Sequence, residues 1–111
     1  MLSKSNRLSK LQFDEVFKKG RVFHSPIFVI RVLVGTTDTR FSAVMPNKIE
    51  KTAAGRNYSR RKTYIALRNI SPLIKKSCNV ILIAKKSVKN IEATELQNDI
   101  KGVFVKSTIL E

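Results

Sequence analysis

The sequence predicts a small α+β fold, a short sheet with helices against it, in the order helix, strands, helix, strand, helix. Three observations carry this. Residues 9–20 form an amphipathic segment with its own start and stop signals. The runs 27–34 and 79–84 are short, β-branched and almost continuously apolar, as buried strands are. Two longer stretches, 53–69 and 92–106, carry apolar residues at helical spacing. A chain of 111 residues that is 42% hydrophobic suits one domain, 1–111, with one modest core.

Residues 1–8 read as a loosely held basic arm. The first helix, about 10–19, starts at a capping box: Ser9 is the N-cap, Gln12 the third residue beyond it, and Leu8 with Phe13 occupies the hydrophobic-staple positions. Phe13, Val16 and Phe17 share a face; Lys18 and Lys19 suit the C-terminal dipole, and Gly20 is a natural stop. Arg21 to Val34 is strand-like, with Pro26 marking an edge or a break. Within it, 27–34 is expected to be covered on both faces. GTTDTR (35–40) is a turn, and Phe41 to Met45 is expected to pair back on 27–34 as a hairpin, ended by Pro46.

Thr52 can cap a helix from Ala53 to about Asn69. At 100° per residue one arc holds Ser59, Thr63, Ala66, Leu67 and Ile70. The opposite side holds Asn57, Arg60, Arg61, Tyr64 and Arg68. Ala54, Tyr58 and Ile65 form a rival apolar stripe, so both stripes are candidates for the buried side. Ser71-Pro72 ends this helix, Leu73 and Ile74 suit a short helical turn, and 79–84 is a buried strand followed by Lys85 and Lys86. A parallel pairing of 27–34 with 79–84 through the helical crossover is possible. Residues 92–106 read as a last helix, with Ile91, Leu96, Ile100, Val103 and Phe104 at roughly helical spacing and Gly102 as a weak point.

The net charge of +14 points to a polyanionic partner, nucleic acid before an acidic membrane. The charge is concentrated in Lys48 to Arg68, where Lys48, Lys51, Arg56, Arg60, Arg61, Lys62 and Arg68 face one acid, Glu50. Arginine presents a planar, bidentate fork to phosphate, and Asn57 adds an amide that both donates and accepts. An ordinary solvated helix face mixes both signs, and this one does not. Phe13 and Phe17 read either as core or as an aromatic platform for unstacked bases.

Little in the chain suits catalysis by the protein itself. No two carboxylates are paired in an apolar setting. His24, beside Ser25-Pro26, reads as structural or exposed rather than as an acid–base group. Cys78 reads as a small buried hydrophobe. With one cysteine and one histidine there is no disulfide and no zinc set, which fits a reducing cytoplasm. The glycines are isolated, so no phosphate loop is present, and no stretch reaches the ~18 apolar residues of a membrane span.

Three blocks together resemble the bacterial ribonuclease P protein component. Arg56-Asn57-Tyr58-Ser59-Arg60-Arg61 is similar to that family's arginine–asparagine signature helix. RLSKLQFDEVFKKGRVFHSPIFVI (7–30) resembles its N-terminal block, and NVILIAKK (79–86) its later buried strand. The resemblance covers nearly the whole chain, in order. It implies an α-β-β-β-α-β-α order, ribosomal-protein-S5-domain-2-like, with a left-handed crossover. It also implies a subunit of the ribonucleoprotein that removes the 5′ leader of precursor tRNA, catalysis resting with the RNA and its magnesium. By matching position, Arg56, Asn57, Arg60 and Arg61 would contact the catalytic RNA, on a face that Lys51 and Arg68 extend. Phe13, Phe17 and Phe28 would line a leader cleft, with Lys48 and Lys85 nearby. No catalytic residue, metal ligand or cofactor is expected on the protein itself. The expected partners are the catalytic RNA, bound 1:1 by a monomer, and precursor tRNA. The chain departs from the family pattern at Tyr58, where a third basic residue is usual, and at Ser59 and Thr63, which are usually apolar. The lysine pair that often precedes the helix is reduced, with Pro46-Asn47 before Lys48, and the aromatic that the family often carries in the strand near Arg31 is absent. A structural RNA-binding protein of ribosomal type is the main alternative; a DNA reader would need a second reading element.

Overall fold

The computed structural model describes residues 7–107. Its elements are α1 (Lys10–Lys19), β1 (Arg21–His24), β2 (Phe28–Val34), β3 (Arg40–Val44), α2 (Ala53–Ile70), a 3-10 turn (Ser71–Leu73), β4 (Cys78–Ala84) and α3 (Ala93–Lys106). Local signals set most of these bounds. Ser9 and Gln12 form both bonds of the capping box at α1. The Thr52 hydroxyl accepts from the Gly55 amide at the start of α2. Gly20 stops α1 for a steric reason rather than a left-handed one. Its φ is −68°, but a Cβ there would lie 2.6 Å from the Val16 carbonyl oxygen and 3.3 Å from that of Val32.

The four strands lie in the order β1-β2-β4-β3. The hairpin expected between β2 and β3 does not form. β4 enters between them, antiparallel to β2 and parallel to β3, so the parallel pairing considered for β2 with β4 is also corrected. The reason is apolarity. β4 is buried at six of seven positions, and such a strand belongs at the centre of a sheet, covered on both faces. The turn after β2, opened by Gly35 at φ 90°, therefore steps over one strand position, roughly 10 Å. The crossover that returns the chain from β3 to β4 contains α2.

Strand alternation gives the sheet two different faces. Phe28, Ile30 and Val32 of β2, Phe41 and Ala43 of β3, and Val80, Leu82 and Ala84 of β4 join Leu67 and Ile70 of α2 and Leu96, Ile100 and Phe104 of α3 in the main core. The second face carries Val29, Arg31 and Leu33, then Asn79, Ile81 and Ile83, then Arg40, Ser42 and Val44. α1 crosses this face over β2 and β4. Its fully buried residue, Val16, points down to the sheet, and only Asn79 and Ile81 of the second face are fully buried. β2, expected to be covered on both faces, is half-exposed on this one.

The rival stripes of α2 are also resolved. Ser59, Thr63, Ala66, Leu67 and Ile70 are buried, whereas Tyr58 and Ile65 are exposed. Tyr64, assigned from periodicity to the basic side, is buried instead. Its hydroxyl accepts the Ala43 amide at the outer edge of β3. The same edge is closed by the chain entering α1: Arg7 bridges to Phe41, and the Leu8 amide donates to the Phe41 carbonyl. Of the arm expected at 1–8, residues 1–6 lie outside the described residues, while Arg7 and Leu8 are held on this edge.

Candidate RNA interface

Two surfaces carry the residues singled out in the sequence. The first is the outer side of α2. Its entry is held by Glu50, which is buried, accepts a hydrogen bond from the Ser87 hydroxyl and lies 3.7 Å from the Lys89 ammonium. The one acid of the basic segment is thus used internally, tying the loop before α2 to the loop after β4. Arg56 folds back and donates to the carbonyls of Glu50 and Lys51 at 3.0 and 3.1 Å, which fixes its guanidinium beside Lys51. Arg60 donates to the Asn57 side-chain oxygen, so the Asn57 amide nitrogen remains a donor. Lys62 is turned away, with its ammonium on the carbonyls of Val88 and Lys89. Arg61 and Arg68 are exposed; they are two turns apart, about 10 Å along the helix. Lys51, Arg56, Asn57, Arg60 and Arg61 therefore form one cationic area, which Arg68 extends.

The second surface is a trough on the α1 face of the sheet. With Val16 pointing down, the helical wheel puts Gln12, Glu15 and Lys19 on one flank of α1 and Phe13 and Phe17 on the other. The first flank faces the turn after β2, since these three residues line a hollow with Leu33, Val34 and Thr36. The aromatic flank therefore faces the opposite end of the sheet. There the register aligns Val29, Ile83 and Val44 in one half-buried apolar row across three strands. The rings of Phe13 and Phe17 stack at 6.2 Å, and Phe17 is 47% exposed. Arg31 rises from the sheet with its guanidinium 4.2 Å from the Phe17 ring centre, and donates to the Phe17 carbonyl at 3.0 Å. Lys48 follows the C-terminal end of β3 and Lys85 that of β4, so both stand at the end that the aromatic flank faces. Lys85 is anchored there, donating to the Ser25 carbonyl at 2.8 Å.

Phe28 does not belong to this trough. It is fully buried on the other face, in register with Ala84 and packed in the main core. In a strand apolar at nearly every position, its aromatic character gave no sign of which face it takes.

A family model described as Ribonuclease P matches residues 2–108. The chain belongs to the ribonuclease P protein component family. A ribonuclease P protein component from Rippkaea orientalis is 27% identical, with 98% of this chain and 91% of that protein covered. One from Symbiobacterium thermophilum is 26% identical over 99% of this chain and 97% of its own. The fold agrees with that of the Staphylococcus aureus RNase P protein, at TM-score 0.80 and 20% identity over 97% of this chain and all of that one. The Thermotoga maritima RNase P protein gives 0.78 at 20% identity over 90% and 96%. Family membership makes the chain the protein part of a tRNA-processing ribonucleoprotein endoribonuclease that acts with a catalytic RNA, and decides against the ribosomal-type alternative.

Within this family frame, two groups were missed by the sequence reading. One is the row Val29, Ile83 and Val44, which only strand register reveals. The other is Arg31, the one charge in a strand otherwise apolar throughout, and that was a usable signal that the second face is not ordinary core. Among the described residues no helix is long and apolar enough to cross a membrane, and no three of His, Cys, Asp and Glu gather as metal ligands.

Proposed function

We propose that the two surfaces divide the work of 5′-leader removal. The α2 face, with Lys51, Arg56, Asn57, Arg60, Arg61 and Arg68, docks on the catalytic RNA. The trough holds the single-stranded leader of precursor tRNA, with leader bases against Phe13 and Phe17 and the backbone drawn by Lys48 and Lys85. The observation that carries this reading is the separation of a guanidinium-rich face from an aromatic-walled trough on one rigid sheet. A protein serving only as structural glue needs the first and not the second. Stacking on exposed rings is tolerant of base identity, which suits a leader whose sequence varies.

Among the described residues no three of His, Cys, Asp and Glu gather where a metal could be held. Magnesium belongs with the RNA, where it supplies an activated water for phosphodiester hydrolysis. The protein's contribution is positioning and charge neutralisation, which lowers the magnesium needed to bring two polyanions together. It works as a monomer bound 1:1 to its RNA in the cytoplasm.

The test is leader removal by a bacterial-type ribonuclease P RNA at low magnesium, with and without this protein. Cleavage is expected only when both are present, and the protein alone should leave precursor tRNA intact. Cleavage by the protein alone, or no stimulation of the RNA at any magnesium concentration, would refute the proposal.

A further inference from the structure

The hollow beside α2 is lined by Asn57, Arg60, Arg61 and Tyr64, and by a residue from outside the signature helix, Arg7. The Arg7 guanidinium lies 5.0 Å from the centre of the Tyr64 ring. Two independent constraints hold it there. The main chain of Arg7 and Leu8 is bonded to the outer edge of β3, and Tyr64 is fixed by its own bond to the Ala43 amide. The Arg7 side chain has no hydrogen-bond or ion-pair partner among the described residues, and its Nε is buried without one. No carboxylate lines the hollow.

Three guanidinium groups around one hollow repel each other, and no acid is among the described residues that line it. A guanidinium held over a ring is already positioned, so less freedom is lost when an anion arrives. The Asn57 amide nitrogen supplies a further, neutral donor. A tetrahedral anion with several acceptor oxygens satisfies such a set, and a phosphate does so with charge-assisted bonds.

We infer that Arg7, held on Tyr64 at the β3 edge, completes with Asn57, Arg60 and Arg61 a subsite for one backbone phosphate of the catalytic RNA. This rests on the proposal that α2 docks on that RNA. It adds a residue of the segment before α1 to the docking surface and gives Tyr64 a positioning role: its ring holds the Arg7 guanidinium at the hollow.

The experiment measures affinity of the full chain for a bacterial-type ribonuclease P RNA, without precursor tRNA, across a range of salt. Arg7→Ala is expected to weaken binding about tenfold and to lower the slope of log affinity against log salt by about 0.7–0.9, as loss of one phosphate contact does. Arg7→Lys keeps the charge and loses the planar fork, so it should keep the slope and recover only part of the affinity. The double variant Arg7→Ala with Arg60→Ala should lose less than the product of the single losses, because both arginines hold one phosphate. Strictly multiplicative losses would overturn the shared subsite. If Arg7→Ala melts early, Arg7→Lys against wild type still reads the subsite, and equal affinity for these two overturns it. The pair Arg60→Ala with Arg61→Ala separates the two levels. If that pair weakens binding while Arg7→Ala changes neither affinity nor slope, the Arg7 inference alone fails. If the pair changes nothing, the docking of α2 itself fails.

Discussion

Replacing Phe17 by alanine separates two roles that one ring could have. The ring is 47% exposed, stacks on Phe13 at 6.2 Å and carries the Arg31 guanidinium at 4.2 Å. Roughly half of a phenylalanine's burial is lost on truncation, about 1 kcal/mol. Loss of the ring pair and the cation–π contact brings the total to about 2 kcal/mol of folding stability. If a leader base stacks on the ring, the same substitution removes about 1–3 kcal/mol from precursor binding. That corresponds to about 5- to 150-fold weaker binding of precursor tRNA by the holoenzyme, with binding of mature tRNA unchanged. Phe17→Leu restores most of the bulk and none of the stacking surface, so it should regain stability but not discrimination. The assay is equilibrium binding of precursor and mature tRNA to the assembled RNA–protein complex, with thermal melting of each variant. Equal loss for precursor and mature tRNA, or full rescue by leucine, would refute the stacking argument and leave Phe17 as packing.

Four further substitutions test the framework that holds these surfaces. Ser59 is fully buried and its hydroxyl has no hydrogen-bond partner among the described residues, so Ser59→Ala should stabilise the fold by about 1 kcal/mol, seen as a melting midpoint about 4 °C higher, with RNA affinity unchanged. Gly102 has open space where a Cβ would stand, so Gly102→Ala should add about 0.5–1 kcal/mol. Gly20→Ala places a Cβ 2.6 Å from a backbone oxygen and should cost about 2 kcal/mol; denaturant titration distinguishes the two signs. Burial raises the Cys78 thiol from 9.0 to about 11, with the Thr39 hydroxyl opposing slightly. Its contribution to stability is complete below pH 9 and is lost as pH rises toward 11, because the unfolded thiol ionises first. Cys78→Ala should flatten that part of a stability-versus-pH curve.

Element bounds were legible because their determinants are local. Ser9 with Gln12, Thr52, Pro46 and Pro72 each act within a few residues of the boundary they set. Strand neighbours were not, because insertion of β4 between β2 and β3 depends on how apolar the strands are relative to one another. Tyr64 misled for a related reason: it falls in the polar arc of α2, but Arg7 lies over its ring and β3 supplies the Ala43 amide for its hydroxyl. For the cationic face, one helix carries nearly every group, so spacing along the chain translated directly into an area on the surface. The trough is assembled from α1 and three strands, and within β2 only Arg31 marked the face it uses. Phe28 was placed there by matching position and proved to be core.

The central place of β4 bears on how the chain acquires its structure during synthesis. β2 and β3 have no common neighbour until residues 78–84 have been made, and β2 must wait for everything between residues 35 and 77 before it meets its inner partner. Before that point a nascent chain can form α1 and the β1–β2 pair, but neither the platform under α2 nor the floor of the trough. Closing so long a loop is slow compared with a hairpin. A chain of net charge +14 held open over that interval repels itself, so its collapse is more sensitive to salt than that of a neutral chain of the same topology.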